Sequence, residues 1–274
     1  MQVLRLPPSS FRNAVLGSLD KGSIERLRVQ LVNPDKTRRA LTASGRRPEH
    51  VFFLESGYVS VMAPLADGTL ISAGTLGSRS VIGASALCCR RPPYHFYELP
   101  AFWSGPLYAS SIEDAQREFS YSERFRNAVL DSLCEEVSQA VQLCACNALH
   151  DVEQRLSRWI LLCHDEMGGD DISATHEMIA TALGICRSTA TVAVDLLGRE
   201  GILQNSRARI RILNRAALEA RSCECYSVIR AARFSPHPDD RVVETKAPIP
   251  VRIREHAPTG TPPVLRVHSG VGSY

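Results

Sequence analysis

The stretch from Thr175 to Ile202, THEMIATALGICRSTATVAVDLLGREGI, leaves the chain few ways to fold. It reads as two short helices joined by a glycine turn. Thr175 is a good N-cap, since its hydroxyl can accept from an orphan backbone N–H. Glu177 places a carboxylate in the positive first turn. Ile179 and Leu183 are one turn apart and share an inward face. Ala180 is small enough to let a second helix cross closely. Gly184 suits the left-handed position that ends a helix, and Ile185 then re-enters the core. The second helix runs roughly from Arg187 to Gly198, with Ala190, Ala193 or Val194, and Leu197 on its buried side. This is the pattern of a DNA-binding helix-turn-helix. A hairpin of helices alone would be weak evidence, because any small α-hairpin looks similar.

The next residues strengthen the reading. Gly201-Ile202-Leu203 ends the second helix and starts a strand, and Gln204-Asn205-Ser206 carries turn chemistry. Arg209, Ile210, Arg211 and Ile212 alternate at strand period. The expected result is a wing with one basic face. From Ser173 to Arg221 there are seven Arg against four acids, an excess of three positive charges, which fits phosphate contact.

This stretch resembles the C-terminal domain of the Crp/Fnr family of transcription regulators. The upstream run NALHDVEQRLSRWIL (Asn147 to Leu161) and the trailing LEARSCECY (Leu218 to Tyr226) resemble the same family, and most of all its members that lack both a cyclic nucleotide and an iron–sulfur cluster. The resemblance covers about Asn13 to Arg230 and is strongest after residue 120. It implies an α+β fold with an N-terminal β-roll of the cyclic-nucleotide-binding-like type, a long dimerisation helix and a C-terminal winged helix-turn-helix. The partners it implies are double-stranded DNA, a second copy of the chain and RNA polymerase.

The N-terminal half supports that outline. Ser10 to Leu27 reads as short helices with Phe11, Val15, Leu16 and Leu19 on one apolar face. Leu31 to Pro48 is polar and basic. Val51-Phe52-Phe53-Leu54 is β-prone, Tyr58, Val59 and Val61 resume the pattern, Asp67-Gly68 is a hairpin turn, and Leu70 to Leu76 is the return strand. Short strands at this spacing suggest a sandwich or barrel; HVFFLESGYVSV and ADGT are the pieces that match the family's β-roll. Nucleotide-binding members carry a Gly-Glu and a later Arg-Ser-Ala around the phosphate pocket. Here the stretch is Gly83-Ala84-Ser85-Ala86-Leu87-Cys88-Cys89-Arg90-Arg91-Pro92-Pro93. The Glu is missing, so Arg90 and Arg91 are expected to be a solvated basic turn, with no useful affinity for cyclic AMP or cyclic GMP.

Glu118 to about Asn147 reads as one long helix. Leu130, Val137 and Cys144 recur every seven residues, as do Leu133, Ala140 and Asn147, giving a coiled-coil seam. Val129 and Val141 form a second stripe, so the helix is expected to pack on its own β-roll as well. The spacing also fits an intramolecular core helix; the resemblance favours a dimer seam of Leu130, Leu133, Val137, Ala140 and Cys144. Leu149 to Met167 reads as a second amphipathic helix, with His150-Asp151 and His164-Asp165-Glu166 on solvated faces. Residues 231–274 contain seven Pro and little periodicity, the composition of a disordered tail.

Composition narrows the function further. The net charge of +3 is mild, so the argument for DNA rests on local clustering. No run approaches the ~18–20 apolar residues of a membrane span, and the start has no signal-peptide core, so a cytoplasmic protein is expected. Nine Cys, an odd number without a C-x-x-C, make a disulfide framework unexpected. Cys144 and Cys146 face different directions on one helix. No metal or cofactor is expected, and a zinc or iron–sulfur site is conceivable only by combining distant groups. No constellation suggests catalysis.

The expected domains are thus a β-roll over 10–118, the dimerisation helix over 119–147, the winged helix over 148–230 and the tail over 231–274. The chain is read as a homodimeric regulator of transcription on a palindromic operator, its effector open. The competing reading is a small-molecule or redox sensor with DNA contact secondary. At the interface, Thr175 caps the first helix, Arg187 is the long donor for guanine, and Ser188 and Thr189 reach a base edge or phosphate. Thr191 suits phosphate, Val192 a thymine methyl, and Arg207 and Arg209 the backbone. In nucleotide-responsive relatives the places of Ser188 and Val192 hold Glu and Arg, so the operator should differ from theirs.

Overall fold

The apolar run in HVFFL is explained by burial on both sides. The strand it forms, β2, alternates between two cores: Phe52 and Leu54 face one, Val51 and Phe53 the other. A strand covered on both faces needs no polar alternation. The computed structural model describes residues 10–32, 40–42, 44–91, 96–98 and 106–234. The expected tail from residue 235 on, and Pro92-Pro93, lie outside the described residues.

The chain opens with α1 (Ala14–Ser18) and α2 (Lys21–Leu27), then β1 (Gln30–Val32), β2 (His50–Leu54), β3 (Val59–Pro64) and β4 (Leu70–Leu76). A short α3 (Ser85–Cys88) leads to β5 (Phe96–Glu98), β6 (Leu107–Ser111) and α4 (Ile112–Tyr121). Two three-stranded antiparallel sheets result, ordered β1-β6-β2 and β4-β3-β5. Residues from both sheets form the core between them, including Leu54, Val61, Tyr97 and Leu107. The outer face of β2 and β6 packs under α1 to α4, where Phe11, Val15, Leu16 and Leu19 are buried as their spacing predicts. At the β3–β4 hairpin Asp67 accepts from Thr69 N–H and Gly68 has φ +85. Arg90 and Arg91 are exposed.

The long helix expected from Glu118 is broken. α4 ends at Tyr121, Ser122 caps the next helix by accepting from Phe125 N–H, and α5 runs from Glu123 to Leu149. A serine free to bond the backbone favours a cap over a helix interior. One face of α5, from Phe125 and Val129 through Ser132, Gln139 and Leu143 to Cys146, is buried. Two polar members bond to backbone donors: Ser132 Oγ accepts from Val81 N–H at 2.9 Å, and Gln139 Oε1 from Thr75 N–H at 2.7 Å. Gly74 makes room for this, since a Cβ there would come within 2.1 Å of the Gln139 amide oxygen.

The opposite face of α5 holds Leu130, Cys134, Val137, Val141, Cys144 and Ala148, all exposed, in a 4-3-4-3-4 spacing. The residues of the expected seam divide between this stripe and the helix's flanks. Leu130, Val137 and Cys144 belong to the exposed stripe. Leu133 packs on the β-roll core and Ala140 is half-buried. Asn147 is exposed, yet it is turned from the stripe's centre by the same helical geometry.

After α5 come α6 (Val152–Met167), β7 (Asp171–Ser173), α7 (His176–Leu183) and α8 (Arg187–Arg199). The chain continues through β8 (Leu203–Ser206), β9 (Arg209–Ile212), α9 (Arg215–Arg221) and α10 (Cys225–Phe234). Their shared core includes Trp159, Ile160, Ile179, Val194, Leu197 and Ile210. Tyr58, from the loop before β3, belongs to it as well, edge-on to Trp159 and donating to Ser173 O at 3.3 Å.

Asp151 is exposed, as expected, and is the N-cap of α6 in a full capping box with Gln154. Two polar expectations are corrected here. Glu166 is buried, not solvated, and pairs at 3.2 Å with Arg233, which also reaches Glu135 at 2.7 Å and donates to Thr75 O. Arg233 lies in the segment assigned to the tail, but α10 carries it into the core, so the folded chain extends to Phe234. Buried carboxylates of this kind persist only when paired. Burial pushes the Glu166 and Glu135 carboxyls up, and Arg233 opposes the shift.

Candidate nucleic-acid interface

Gly184 sets the geometry. Its φ of +62 ends α7 in the left-handed conformation, and α8 leaves at 108° to α7, within the range of helix-turn-helix pairs. Thr175 caps α7 by accepting from Met178 N–H at 3.1 Å. Ile179, Ala180 and Leu183 are buried, as are Ala190, Ala193, Val194 and Leu197 on α8. The small residues at 180, 190 and 193 let the two helices meet closely.

The faces left over define the interface. Arg187 and Ser188 stand exposed at the N-terminal end of α8, and Val192 one turn on is 65% exposed. Arg187 makes no ion pair among the described residues, so its guanidinium fork is free to receive a bidentate acceptor. Thr189 is half-buried, with Oγ1 2.8 Å from Cys186 Sγ. Cys186, the N-cap residue, is exposed, and hydrogen bonds from Ser188 and Thr189 draw its thiol down to about 7.

The Thr191 hydroxyl is hydrogen-bonded within the chain. It donates to Arg187 O at 3.0 Å and accepts from His176 Nδ1 at 2.9 Å, while Asn205 Nδ2 donates to His176 Nε2 at 2.9 Å. This chain of bonds needs the neutral histidine with its proton on Nδ1, assigned from the partners. It ties the wing to α8. Neither His176 nor Asn205 stood out in the sequence: Asn205 read as a turn residue, and no local spacing links positions 29 residues apart.

The wing is the hairpin β8–β9, paired to β7 in a sheet of order β7-β9-β8. Its turn is one step later than expected. Ser206 pairs with Arg209, and Arg207-Ala208 makes the reversal, with Ala208 held at φ +60. A non-glycine residue there is uncommon, which is why the glycine-free sequence pointed to Gln204-Asn205-Ser206 instead. Arg207 at the tip is exposed and without an ion pair among the described residues. Arg209 lies 3.6 Å from Asp171, whose carboxylate is gripped by Arg211 at 2.7 and 2.8 Å and held below the usual range by that fork. Arg209 is therefore partly neutralised and Arg207 is the freer charge.

A β-roll joined by a long helix to a winged helix-turn-helix with a free arginine at its reading end defines a class of DNA-binding proteins. Residues 154–221 match the model of the Crp-like helix-turn-helix domain. The global nitrogen regulator of Synechococcus elongatus is 25% identical over 181 residues, covering 64% of this chain and 82% of the relative. Among solved structures, a Crp/Fnr-family regulator from Eubacterium rectale matches with a TM-score of 0.58 at 18% identity, covering 76% of this chain and 97% of that one. FixK2 from Bradyrhizobium japonicum matches with a TM-score of 0.59 at 15% identity, covering 71% and 96%. The chain carries a Crp-like helix-turn-helix domain on a fold shared with Crp/Fnr-family regulators, and these likenesses support a DNA-binding transcription regulator. No single helix among the described residues is long and apolar enough to cross a membrane.

Proposed function

We propose that the protein acts as a homodimer that reads an inverted-repeat operator, with promoter occupancy as its output. The observation that carries this is the pairing of two exposed features on one chain: the bare apolar stripe of α5 and the free Arg187 at the start of α8. Joining two copies along α5 through Leu130, Cys134, Val137, Val141, Cys144 and Ala148 removes that stripe from water and presents two α8 helices by two-fold symmetry. Each α8 enters a major groove with Arg187 on guanine O6 and N7, Ser188 at a base edge or phosphate, and Val192 against a thymine methyl. Thr175 and Thr189 contribute at the backbone-facing edge. Arg207 serves phosphate, and Arg209 joins it by sharing its charge with Asp171.

The test is selection of random DNA by the purified chain, followed by sequencing. The expected outcome is an inverted repeat with half-sites about one helical turn, ~34 Å, apart. Enrichment of single, unpaired half-sites, or of no sequence at all, contradicts the proposal.

A further inference from the structure

Four ligand-type side chains from two distant stretches converge where α5 ends. Cys146 and His150 are one turn apart at the C-terminal end of α5, so they project from the same side. Cys223 lies in the turn after α9 and Cys225 is the first residue of α10, with Glu224 between them. The three sulfurs and a ring nitrogen all lie within 4.8 Å of one another. Cys146 Sγ is 3.5 Å from Cys223 Sγ, and Cys225 Sγ is 3.6 Å from His150 Nδ1. A tetrahedral zinc ion with Zn–S of about 2.3 Å and Zn–N of about 2.0 Å sets its ligand atoms roughly 3.5–3.8 Å apart. The two separations fall on that scale, well beyond the ~2.05 Å of a disulfide.

The surroundings fit a metal as well as the ligands do. The other ring nitrogen of His150, Nε2, is 3.3 Å from a Glu224 carboxylate oxygen. That contact holds the proton on Nε2 and aims the Nδ1 lone pair at the sulfurs, the arrangement that orients metal-bound histidines. Cys146, Cys223 and Cys225 are 0%, 4% and 1% exposed, whereas Cys88, Cys89, Cys134, Cys144 and Cys186 are exposed. Three thiolates and an imidazole on a divalent ion carry a net negative charge. Arg158, buried and within electrostatic reach of all three sulfurs, balances it; its Nε has no hydrogen-bond partner in the structure. Gln142 Nε2 also points at Cys225 Sγ, at 3.0 Å.

We propose that Cys146, His150, Cys223 and Cys225 form a tetrahedral Cys3His site for a thiophilic divalent metal of the zinc class. Binding releases the three thiol protons and forms three metal–sulfur bonds and one metal–nitrogen bond, with no change of oxidation state. The sequence led to no metal because its two halves are 77 residues apart at Cys146 and Cys223. The site closes the chain around the whole winged helix. It pins the α9–α10 turn to the end of the helix that bears the exposed stripe. Metal occupancy thereby sets how firmly the DNA-binding unit is seated on α5.

The test uses the full chain, fully reduced and freed of metal, titrated with Co2+. One equivalent per chain should saturate the signal, giving thiolate charge-transfer absorption in the near ultraviolet and the visible bands of tetrahedral cobalt, both bleached by Zn2+. Cys146→Ser and Cys223→Ser should each weaken cobalt binding at least ~100-fold, and Glu224→Gln about 10- to 100-fold. Cys88→Ser, on the exposed end of α3, should leave it unchanged. Because the wild-type titration stands alone, misfolding of a variant does not blunt the test. Absence of tetrahedral bands in the reduced wild type overturns the site, as does a Cys146–Cys223 disulfide with no metal uptake after reduction, or equal loss from Cys88→Ser.

Discussion

The two faces of α5 carry opposite chemistry. The inner face reaches its own β-roll through Phe125 and Val129, but also through Ser132 and Gln139, which accept from the backbone N–H groups of Val81, after β4, and Thr75, in β4. The outer face carries an exposed apolar stripe: Leu130 is 42%, Val137 62% and Val141 65% exposed. Hydrophobicity alone would assign these faces the wrong way round at several positions. Polar residues sit inside where they have fixed partners, and apolar ones outside where a partner must arrive from elsewhere.

The strongest way to break this contrast is at the outer face. Val137→Glu with Val141→Glu places like charges at the two-fold seam, so sedimentation at micromolar concentration should show monomers. DNA affinity should fall by at least ~100-fold, since each monomer reads one half-site. Circular dichroism should show an intact fold, because both side chains are mostly exposed. A double variant that stays dimeric places the interface elsewhere.

The inner face should respond in the other way. Phe125 is fully buried, so Phe125→Ala should cost about 3–5 kcal/mol of folding stability through lost packing and a cavity. Denaturant unfolding should record this with the wild-type association state retained wherever the chain remains folded. Dissociation without destabilisation would erase the distinction between the faces.

A smaller effect sharpens the comparison further. Glu136 lies on the inner face and accepts from Tyr97 OH at 3.2 Å. Burial lifts its carboxyl from 4.5 to about 7. Between these values the folded chain holds more protons than the unfolded chain, so stability from this group falls as pH rises from about 4.5 to about 7. Glu136→Gln should therefore be on the order of 1–2 kcal/mol more stable than wild type at pH 8 and show little gain below pH 4.5. Paired urea melts at the two pH values measure it; a gain at low pH alone reverses the sign.

The helix-turn-helix was legible because its signals are local: the Thr175 cap, the Gly184 turn and the spacing of Ile179, Leu183, Ala190, Val194 and Leu197. The β2–β4 strands were legible for the same reason. On α5, Leu133 and Ala140 satisfy the same heptad arithmetic as the exposed Leu130, Val137 and Cys144, and only the β-roll's position makes their burial differ. Glu166 and Arg233 were misread because each becomes tolerable in the core only through the other. The Cys146–Cys225 cluster, the His176–Asn205 bridge and Thr191's engaged hydroxyl depend on tertiary approach that spacing does not encode.

The reading of DNA by α8 is tested most directly by two arginines on one selected operator. Arg187→Ala should cost about 1–3 kcal/mol per half-site and relax the preference at one base pair. Arg207→Ala should weaken all sequences alike and lower the slope of log affinity against log salt by about one per subunit. If Arg187→Ala leaves the sequence preference intact while Arg207→Ala changes it, the wing and not α8 reads the bases.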